Sequence, residues 1–486
     1  MPISKLFSAA FIGLEAILVE VEVDLDFAAG GMIRLAGLPD AAVKESKDRV
    51  LHAVKNSGFK VDGLAGMIHL APAEIKKIGA FYDLPIALGI LQSLNAFSNA
   101  QLEDYLIGGE LGLSGEIRPI CGALSLSLLA KKWKKRGVIV PLENAAEAAL
   151  VEGVQVIPLH HLKEGIRFFK EGHIPTYPIQ PVRFQTGTSS VDMSAIRGQA
   201  HAKRALEIAA AGGHNLLMCG PPGTGKTMLA KAFNSILPPL SFEEALEVTN
   251  IYSLGGYGSG LVEMRPFRSP HHSISYAGMV GGGSPPKPGE ISLAHKGVLF
   301  LDELPEFSRS TLEVLRQPLE DKMVTVSRAG GKIRFPTDVI CIAAMNPCPC
   351  GFLGHPEKPC RDTALQVERY QRKISGPLLD RIDLHLDVPP VPYHEMIEKQ
   401  AEESSAAIRQ RVIAARHRLQ SRPAPAPHTL SEACKSLLKE AVEAWNISAR
   451  AHGRLLKVAH TIAQMAGAEA LAEDHIAEAL SYRVKV

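Results

Sequence analysis

The chain has 486 residues, 46% hydrophobic and 21% charged, with 53 Lys and Arg against 51 Asp and Glu. Such a composition excludes a disordered, collagen-like or mucin-like chain, and the length predicts about three domains, each able to bury its own core. The net charge of +2 excludes a histone-like polycation, so contact with nucleic acid has to come from local clustering of charge. No apolar run approaches the ~18 residues of a membrane span. Met1–Lys5 lacks the basic start of a signal peptide. Seven cysteines, an odd number, argue against a disulfide framework. The expectation is a reduced, cytoplasmic protein with no membrane partner.

In chain order, Ile17–Leu25 alternates with period two and predicts a strand. Asp40 is an N-cap candidate for a helix running to Val54. Leu84–Leu94 predicts an apolar helix, Leu111–Pro119 a strand pair around Ser114-Gly115, and Val138–Pro141 and Val154–Pro158 short buried strands. This first part therefore predicts an α+β module over 1–171. Residues 172–190, rich in Pro, Thr, Ser and Gly, read as a linker. From 191 to 390 helical and β-rich runs alternate, as in a parallel-sheet α/β domain, and 391–486 is helical, broken at Pro423–Pro427.

The strongest motif is Gly220-Pro221-Pro222-Gly223-Thr224-Gly225-Lys226-Thr227. It follows an apolar strand, Asn215–Cys219, and opens a helix, Met228–Phe233, which is the context a phosphate-binding P-loop requires. Backbone N–H groups and the helix N-terminus then face phosphate oxygens, Lys226 reaches the β and γ phosphates, and Thr227 offers its hydroxyl to Mg²⁺. Downstream, the apolar run Gly297–Leu301 ends in Asp302-Glu303. Asp302 is the expected second Mg²⁺ group and Glu303 the group that polarises the attacking water. A further strand, Val339–Ala344, ends in Met345-Asn346, whose amide can orient that water.

These motifs, in this order, resemble the AAA+ ATPases. More narrowly, the chain resembles the ComM/YifB family, the magnesium-chelatase-like competence proteins. The resemblance is carried by Gly37–Asp40, Arg265–His272, Phe300–Leu304, Ala344–Gly351 and Ser375–Asp383, and covers essentially the whole chain. It implies a hexameric ring motor with ATP and Mg²⁺ at subunit interfaces, acting on single-stranded and branched DNA beside a recombinase during natural transformation. It implies that Arg381 is the arginine finger, with pairing to Asp380 or Asp383 as the rival role. It also implies that Arg450 is the sensor-2 arginine of the helical lid, Arg454 competing for that role. His460 stands where the family usually has an arginine. Residues 1 to about 170 resemble the proteolytic domain of the Lon protease. Ile86 and the neighbourhood of Leu126 fall where that domain has its serine and lysine, so the expectation is a module without protease chemistry. A magnesium-chelatase-type motor subunit and a protein-remodelling ATPase are the competing functions, the latter kept open by Gly255–Gly258.

Two regions are expected to face DNA. Residues 324–335 predict a hairpin turning at Gly330-Gly331. Arg328, Lys332 and Arg334 sit near its tip, and by resemblance this hairpin points into the ring channel, where such a basic collar tracks phosphates. Residues 242–290, rich in Gly and Pro, predict an irregular channel-lining insert holding Arg265, Arg268, His271, His272 and Lys287. The adjacent histidines are expected to point opposite ways. Lys131–Arg136 is the densest basic run and reads equally as nucleic-acid contact or solvated helix end. Cys348, Cys350 and Cys360 offer three thiolates within thirteen residues, a set able to hold Zn²⁺ with His355 or Asp362 as fourth ligand.

Overall fold

The computed structural model describes residues 3–28, 31–97, 102–171, 176–178, 191–258, 260–283, 286–328, 331–392, 402–424, 426, 428, 430–445 and 447–483. The linker expected at 172–190 lies outside the described residues except for 176–178. The chain divides into two compact units, Met1–Arg183 with Ala245–Val262, and Phe184–Glu244 with Glu263–Val486.

In the first unit, Ser4–Ile12 (β1) pairs antiparallel with Glu15–Phe27 (β2). The predicted alternation of β2 sends Val19, Val21, Val23 and Leu25 into the core and leaves Glu20, Glu22 and Asp24 outside it. Next come Ile33–Ala36 (β3), Leu64–Ala71 (β4), Tyr105–Ile107 (β5), Glu110–Leu111 (β6), Ile117–Arg118 (β7), Gly137–Pro141 (β8) and Gln155–Leu159 (β9). Seven of them form one mixed sheet of order β3-β4-β2-β1-β5-β8-β9, and β6 and β7 make the small pair expected around Ser114-Gly115. Asp40 caps helix Ala41–Asn56, its Oδ1 accepting from the Val43 amide at 2.8 Å. Helix Asp83–Ser93 is buried along its whole length. Its Asp83 carboxylate takes Arg49 Nε at 2.7 Å and the Leu111 amide at 3.1 Å, so the buried charge is paired and hydrogen-bonded.

Residues from Ala245 on in helix Phe242–Gly255 belong to this first unit. Ser253 Oγ donates to Glu147 Oε1 at 2.5 Å and accepts from the Gly122 amide at 2.9 Å, while the Leu124 amide donates to the same carboxylate oxygen at 3.0 Å. Burial holds the Glu147 carboxyl above its usual range.

The second unit is built on five parallel strands, Leu216–Cys219 (β10), Phe267–Arg268 (β11), Val298–Leu301 (β14), Ile340–Met345 (β17) and Leu384–Asp387 (β18), in the order β11-β14-β17-β10-β18. Two separate hairpins, Gly281–Gly282 (β12) with Lys287–Pro288 (β13), and Met323–Arg328 (β15) with Gly331–Pro336 (β16), lie outside that sheet. Leu216, Met218, Phe300, Ile342 and Leu384 are buried together with Phe233. Continuous apolar strands of this kind mark a sheet covered on both faces, as the α/β reading of 191–390 requires. Helices Ser405–Ser421, Glu432–Trp445, Ala449–Met465 and Glu473–Ser481 make up the described helices of the C-terminal stretch. No described helix is long and apolar enough to cross a membrane.

β18 carries a buried histidine whose cost is readable in pH. Burial, with Arg483 nearby, lowers the His385 pKa from 6.5 to about 4. The unfolded chain binds this proton below 6.5, whereas the folded chain does not until about 4. Stability is therefore untouched above 6.5 and falls as pH drops through that window. Between pH 7 and pH 5 this one group should remove about 2 kcal/mol. Denaturant titrations of wild type and His385→Asn at the two pH values check it; equal losses in both would refute the assignment.

Candidate functional site

The sheet topology builds the site. Ligands of open parallel sheets bind beyond the carboxyl ends of the strands. Here β10 leads into the loop 220–225, β14 into Asp302-Glu303 and β17 into Asn346. β17 lies between the other two, so Asn346 sits between the P-loop and the carboxylates. In the loop, Gly223 and Gly225 have φ of +82° and +85°, the left-handed region that an added Cβ penalises. Thr224 Oγ1 closes the loop on the Pro221 carbonyl at 3.0 Å. The helix opens at Lys226, two residues earlier than the apolar run predicts, and runs to Ile236. Its first-turn amides therefore face the loop interior with the positive end of the dipole.

Lys226 Nζ donates to the carbonyls of Gly220 at 2.6 Å and Pro221 at 2.9 Å, and to Asn346 Oδ1 at 3.2 Å. Burial lowers its pKa, against the pull of Asp302. Thr227 Oγ1 and Asp302 Oδ2 stand 2.8 Å apart. Two oxygens on adjacent corners of a Mg²⁺ octahedron are about 2.9 Å apart at ligand distances of about 2.1 Å, so the pair fits this ion. Asp302 Oδ1 also accepts from the Glu303 amide at 3.0 Å. Glu303 has φ of +51°, in the left-handed region that non-glycine residues seldom adopt.

One member of the site was missed by sequence reasoning. His272 Nδ1 lies 3.4 Å from Glu303 Oε2. The chain turns at 272–273, so the two histidine rings lie side by side, tilted by 34° with centroids 4.0 Å apart, instead of pointing opposite ways. The Arg265–His272 motif could have flagged His272, but its partner lies on another strand end. A histidine that orients the carboxylate should matter to turnover more than to binding. His272→Ala is expected to lower kcat about tenfold or more with KM for ATP nearly unchanged; a steady-state ATPase assay with unchanged kcat would remove His272 from the site.

The candidate arginines sit at the opposite edge of the same sheet. Asn215, just before β10, donates through Nδ2 to the Arg381 carbonyl at 3.0 Å and accepts from the Cys341 amide at 2.9 Å; its own amide donates to Asp383 Oδ2 at 2.9 Å. One side chain and its amide thus tie together the amino ends of β10, β17 and β18. The four residues of β10 span about 13 Å from this knot to the P-loop. Arg381 is nearly buried. It donates to the carbonyls of Arg316 at 2.8 Å and Pro377 at 2.6 Å and pairs with Glu320, not with Asp380 or Asp383. Arg450 reaches the same Glu320 at 3.8 Å and is 69% exposed. Asp383 is taken instead by Arg454 at 3.1 Å and faces His214 at 3.8 Å. His460 is buried, its Nε2 3.1 Å from the Arg422 carbonyl. A cleft of about 890 Å³ runs along this edge past Asp383, Arg450 and Arg454. Within one chain, Arg381 and Arg450 come together with each other and not with Lys226.

The hairpin expected at 324–335 is β15–β16, with Arg328 opposite Gly331. Gly331 is therefore a strand residue, and residues 329 and 330 lie outside the described residues. Thr325 pairs with Arg334 and Ser327 with Lys332, so one face is polar and exposed, while Val324, Val326 and Phe335 are buried on the other. Period two puts Lys332 and Arg334 on that polar face. Arg328 ends β15, and its side chain is outside the described residues.

The insert 242–290 is not an irregular loop. It contains a helix, two strand pairings and the short helix Tyr276–Val280. Arg265 is held by the carbonyls of Pro238 and Lys296, each at 2.6 Å, and by Glu244 at 2.7 Å. Arg268 pairs with both oxygens of Glu290 at 2.7 and 2.6 Å. Both guanidiniums are thereby engaged within the chain, whereas Lys287 is exposed. In the basic run, Lys131, Lys132, Trp133 and Lys134 are exposed, while Lys135 lies over the Phe7 ring at 3.6 Å. Ile86 and Leu126 are both fully buried in the apolar core of the first unit. Ser125, beside Leu126, donates to Asn250.

The thiols meet as expected. Cys348, Cys350 and Cys360 gather with Asp362, and all four candidate ligand atoms lie within 4.8 Å of one another. His355 is not among them: its Nδ1 accepts from the amides of Glu357 and Lys358, each at 3.1 Å.

Comparison with known proteins agrees with this architecture. The family described as "Subunit ChlI of Mg-chelatase" matches residues 21–144, "Magnesium chelatase, subunit ChlI" matches 192–396, and "Magnesium chelatase, subunit ChlI C-terminal" matches 402–483. The chain is similar to uncharacterized protein YifB of Escherichia coli K12, with 42% identity over 500 residues, covering 99% of this chain and 97% of the relative. It is also similar to competence protein ComM of Haemophilus influenzae, with 40% identity over 504 residues, covering 100% and 98%. An uncharacterized protein of Mycobacterium tuberculosis H37Rv shares 38% over 509 residues, covering 99% of each chain. With a P-loop sheet of AAA+ type and near full-length identity to both YifB and ComM, the chain belongs to the ComM/YifB family of magnesium-chelatase-like proteins.

Proposed function

We propose that this magnesium-chelatase-like ATPase is a cytoplasmic, homohexameric DNA motor. It hydrolyses ATP with Mg²⁺, carries Zn²⁺ at its thiol loop, and moves single-stranded and branched DNA during homologous recombination. The similar protein ComM is named for competence, which points to integration of incoming single strands beside a recombinase as the setting. The domain reading follows: a Lon-like module without protease chemistry over 1–171, an ATPase core over 191–390 and a helical lid over 391–486. The buried, apolar Ile86 and Leu126 support the loss of protease chemistry.

The observation that carries the reading is the division of one hydrolytic site between two edges of one sheet. Lys226, Asp302, Glu303 and Asn346 stand at the carboxyl edge, and Arg381 and Arg450 at the amino edge. Each chain therefore offers half a site to a neighbour on either side, which is the requirement for a ring. At such an interface, loop amides and Lys226 hold the β and γ phosphates, with Thr227 and Asp302 placed to hold Mg²⁺. When bound, that ion neutralises charge developing on the phosphate oxygens. Glu303, steadied by His272, accepts the proton of the attacking water as its oxygen bonds to the γ phosphorus and the bond to ADP breaks. Asn346 orients the water, while Arg381 and Arg450 from the neighbour stabilise charge on the transferring phosphoryl group.

Lys332 and Arg334 on the exposed face of the β15–β16 hairpin support the DNA assignment. Six copies of a small basic face converge in a ring, so a chain of net charge +2 can still track phosphates. Lys332→Ala combined with Arg334→Ala is expected to weaken DNA binding and to reduce the salt slope by about 1 per contact removed; filter binding across a salt series with no change would take the hairpin off the contact surface. The whole reading is tested by ATP-driven strand displacement and branch migration on forked and three-stranded DNA, comparing wild type with Lys226→Ala. Absence of unwinding together with absence of DNA-stimulated ATPase would sink it. The descriptions of the matched families favour a second reading, a chelatase-type motor subunit. ATPase activity that responds to a porphyrin-bearing partner and not to DNA would favour that one. An exposed Tyr257 keeps a protein-remodelling motor as a third outcome.

A further inference from the structure

The thiol loop begins two residues after Asn346. The sulfur atoms of Cys348 and Cys350 are 3.4 Å apart, those of Cys348 and Cys360 3.6 Å, and those of Cys350 and Cys360 3.5 Å. These are far beyond a disulfide bond of about 2.05 Å. They approach the edge of a zinc–thiolate tetrahedron, about 3.8 Å for a Zn–S distance of about 2.3 Å. The fourth corner is supplied by Asp362. Its Oδ2 lies 3.8 Å from Cys360 Sγ and accepts the Cys350 amide at 2.8 Å, which fixes the carboxylate toward the sulfurs. A carboxylate in the fourth position disfavours an iron–sulfur cluster, which takes four thiolates, and three sulfurs disfavour the hard ions Mg²⁺ and Ca²⁺.

The loop is bound to the nucleotide site at its start. Gly351 (φ +83°) packs so closely on the P-loop that a Cβ there would stand 2.6 Å from Pro222 Cδ. Gln371 Nε2 donates to the Pro347 carbonyl at 3.2 Å, and Cys348 is fully buried. Asn346 itself meets Lys226 at 3.2 Å. A closed four-ligand site at 348–362 thus removes freedom from the segment that aims the Asn346 amide. We propose that Cys348, Cys350, Cys360 and Asp362 form a structural Zn²⁺ site that positions Asn346 for hydrolysis. The ligand set stands on its own geometry; its effect on Asn346 rests on the reading of the nucleotide site as an ATPase centre.

Elemental analysis of the purified full-length chain is expected to give about one zinc per chain. Cys360→Ser and Asp362→Ala should lose most of it, and Asp362→Cys, which completes four thiolates, should keep it. In Co²⁺-substituted protein, thiolate charge-transfer bands and intense tetrahedral d–d bands are expected, with the d–d bands moving to lower energy in Asp362→Cys. Zinc well below one per chain in wild type, with reduced thiols and no cobalt charge-transfer band, would overturn the site. For the positioning role, zinc removal should lower the DNA-independent kcat by about 10–100-fold with KM for ATP changed much less. The same removal from Asn346→Ala should lower kcat little further. An equal loss in both backgrounds, or none in wild type, would overturn the positioning role while leaving the metal site standing. Metal content and basal hydrolysis need no DNA, so failure of strand displacement would count against the motor and not against the zinc.

Discussion

Glu303→Gln should leave ATP bound and slow its hydrolysis by about 10²–10⁴-fold, the range lost when a positioned proton acceptor is removed. The amide keeps the size of the carboxylate and one accepting oxygen but cannot take the proton of water. Glu303 is tethered through its own amide to Asp302 and faces His272 through its carboxylate, so the substitution leaves the Thr227–Asp302 pair in place. KM for ATP should therefore stay within a few-fold of wild type, in contrast to Lys226→Ala, which removes a phosphate contact and should weaken nucleotide binding as well. Single-turnover hydrolysis beside equilibrium binding of ATP separates the two. A Glu303→Gln variant with wild-type turnover would move the catalytic base elsewhere.

Arg381→Ala should abolish hydrolysis by about 10³–10⁵-fold if the guanidinium acts as a finger on a neighbour's phosphates. It sits at the wrong edge of its own sheet to reach its own P-loop, and complementation exploits that geometry. On the proposed assembly, rings mixed from Lys226→Ala and Arg381→Ala chains would contain interfaces in which an intact P-loop meets an intact Arg381. Part of the activity should return. No return would place Arg381 in a structural role. That role is real in the single chain, because the guanidinium holds the carbonyls of Arg316 and Pro377 as well as Glu320, and its loss can destabilise the fold. Arg450 gives the control. It is largely exposed and shares only Glu320 at 3.8 Å, so Arg450→Ala should fold normally and still complement Lys226→Ala. On the proposed ring, the Arg381–Glu320–Arg450 cluster would require a switch of partners: Arg381 would have to leave Glu320 to reach a neighbour's phosphate, and Arg450, the more exposed of the two, would be the first to move.

The amino-acid sequence by itself determined the parts whose chemistry is local. The P-loop is readable because glycines, Lys226 and Thr227 must follow one another for backbone amides to wrap a phosphate. Asp302, Glu303 and Asn346 are readable because an apolar strand ending in a polar residue puts that residue at a sheet edge. The thiols are readable because they lie close together in the chain, and the hairpin because alternation sorts Lys332 and Arg334 from Val324 and Val326. Tertiary structure alone decided which distant groups meet. It chose Asp362 over His355, turned His272 onto Glu303, and gave Arg381 to Glu320 instead of its sequence neighbours. It used Arg265 to tie the insert to Pro238 and Lys296 and Arg268 to pair with Glu290 inside it, and carried Ser253 to Glu147, 106 residues away. The physical reason is the same throughout. Backbone conformation and strand period are set by neighbouring residues, whereas a charge or hydrogen-bond partner is set by whichever strand end the fold brings within about 3 Å.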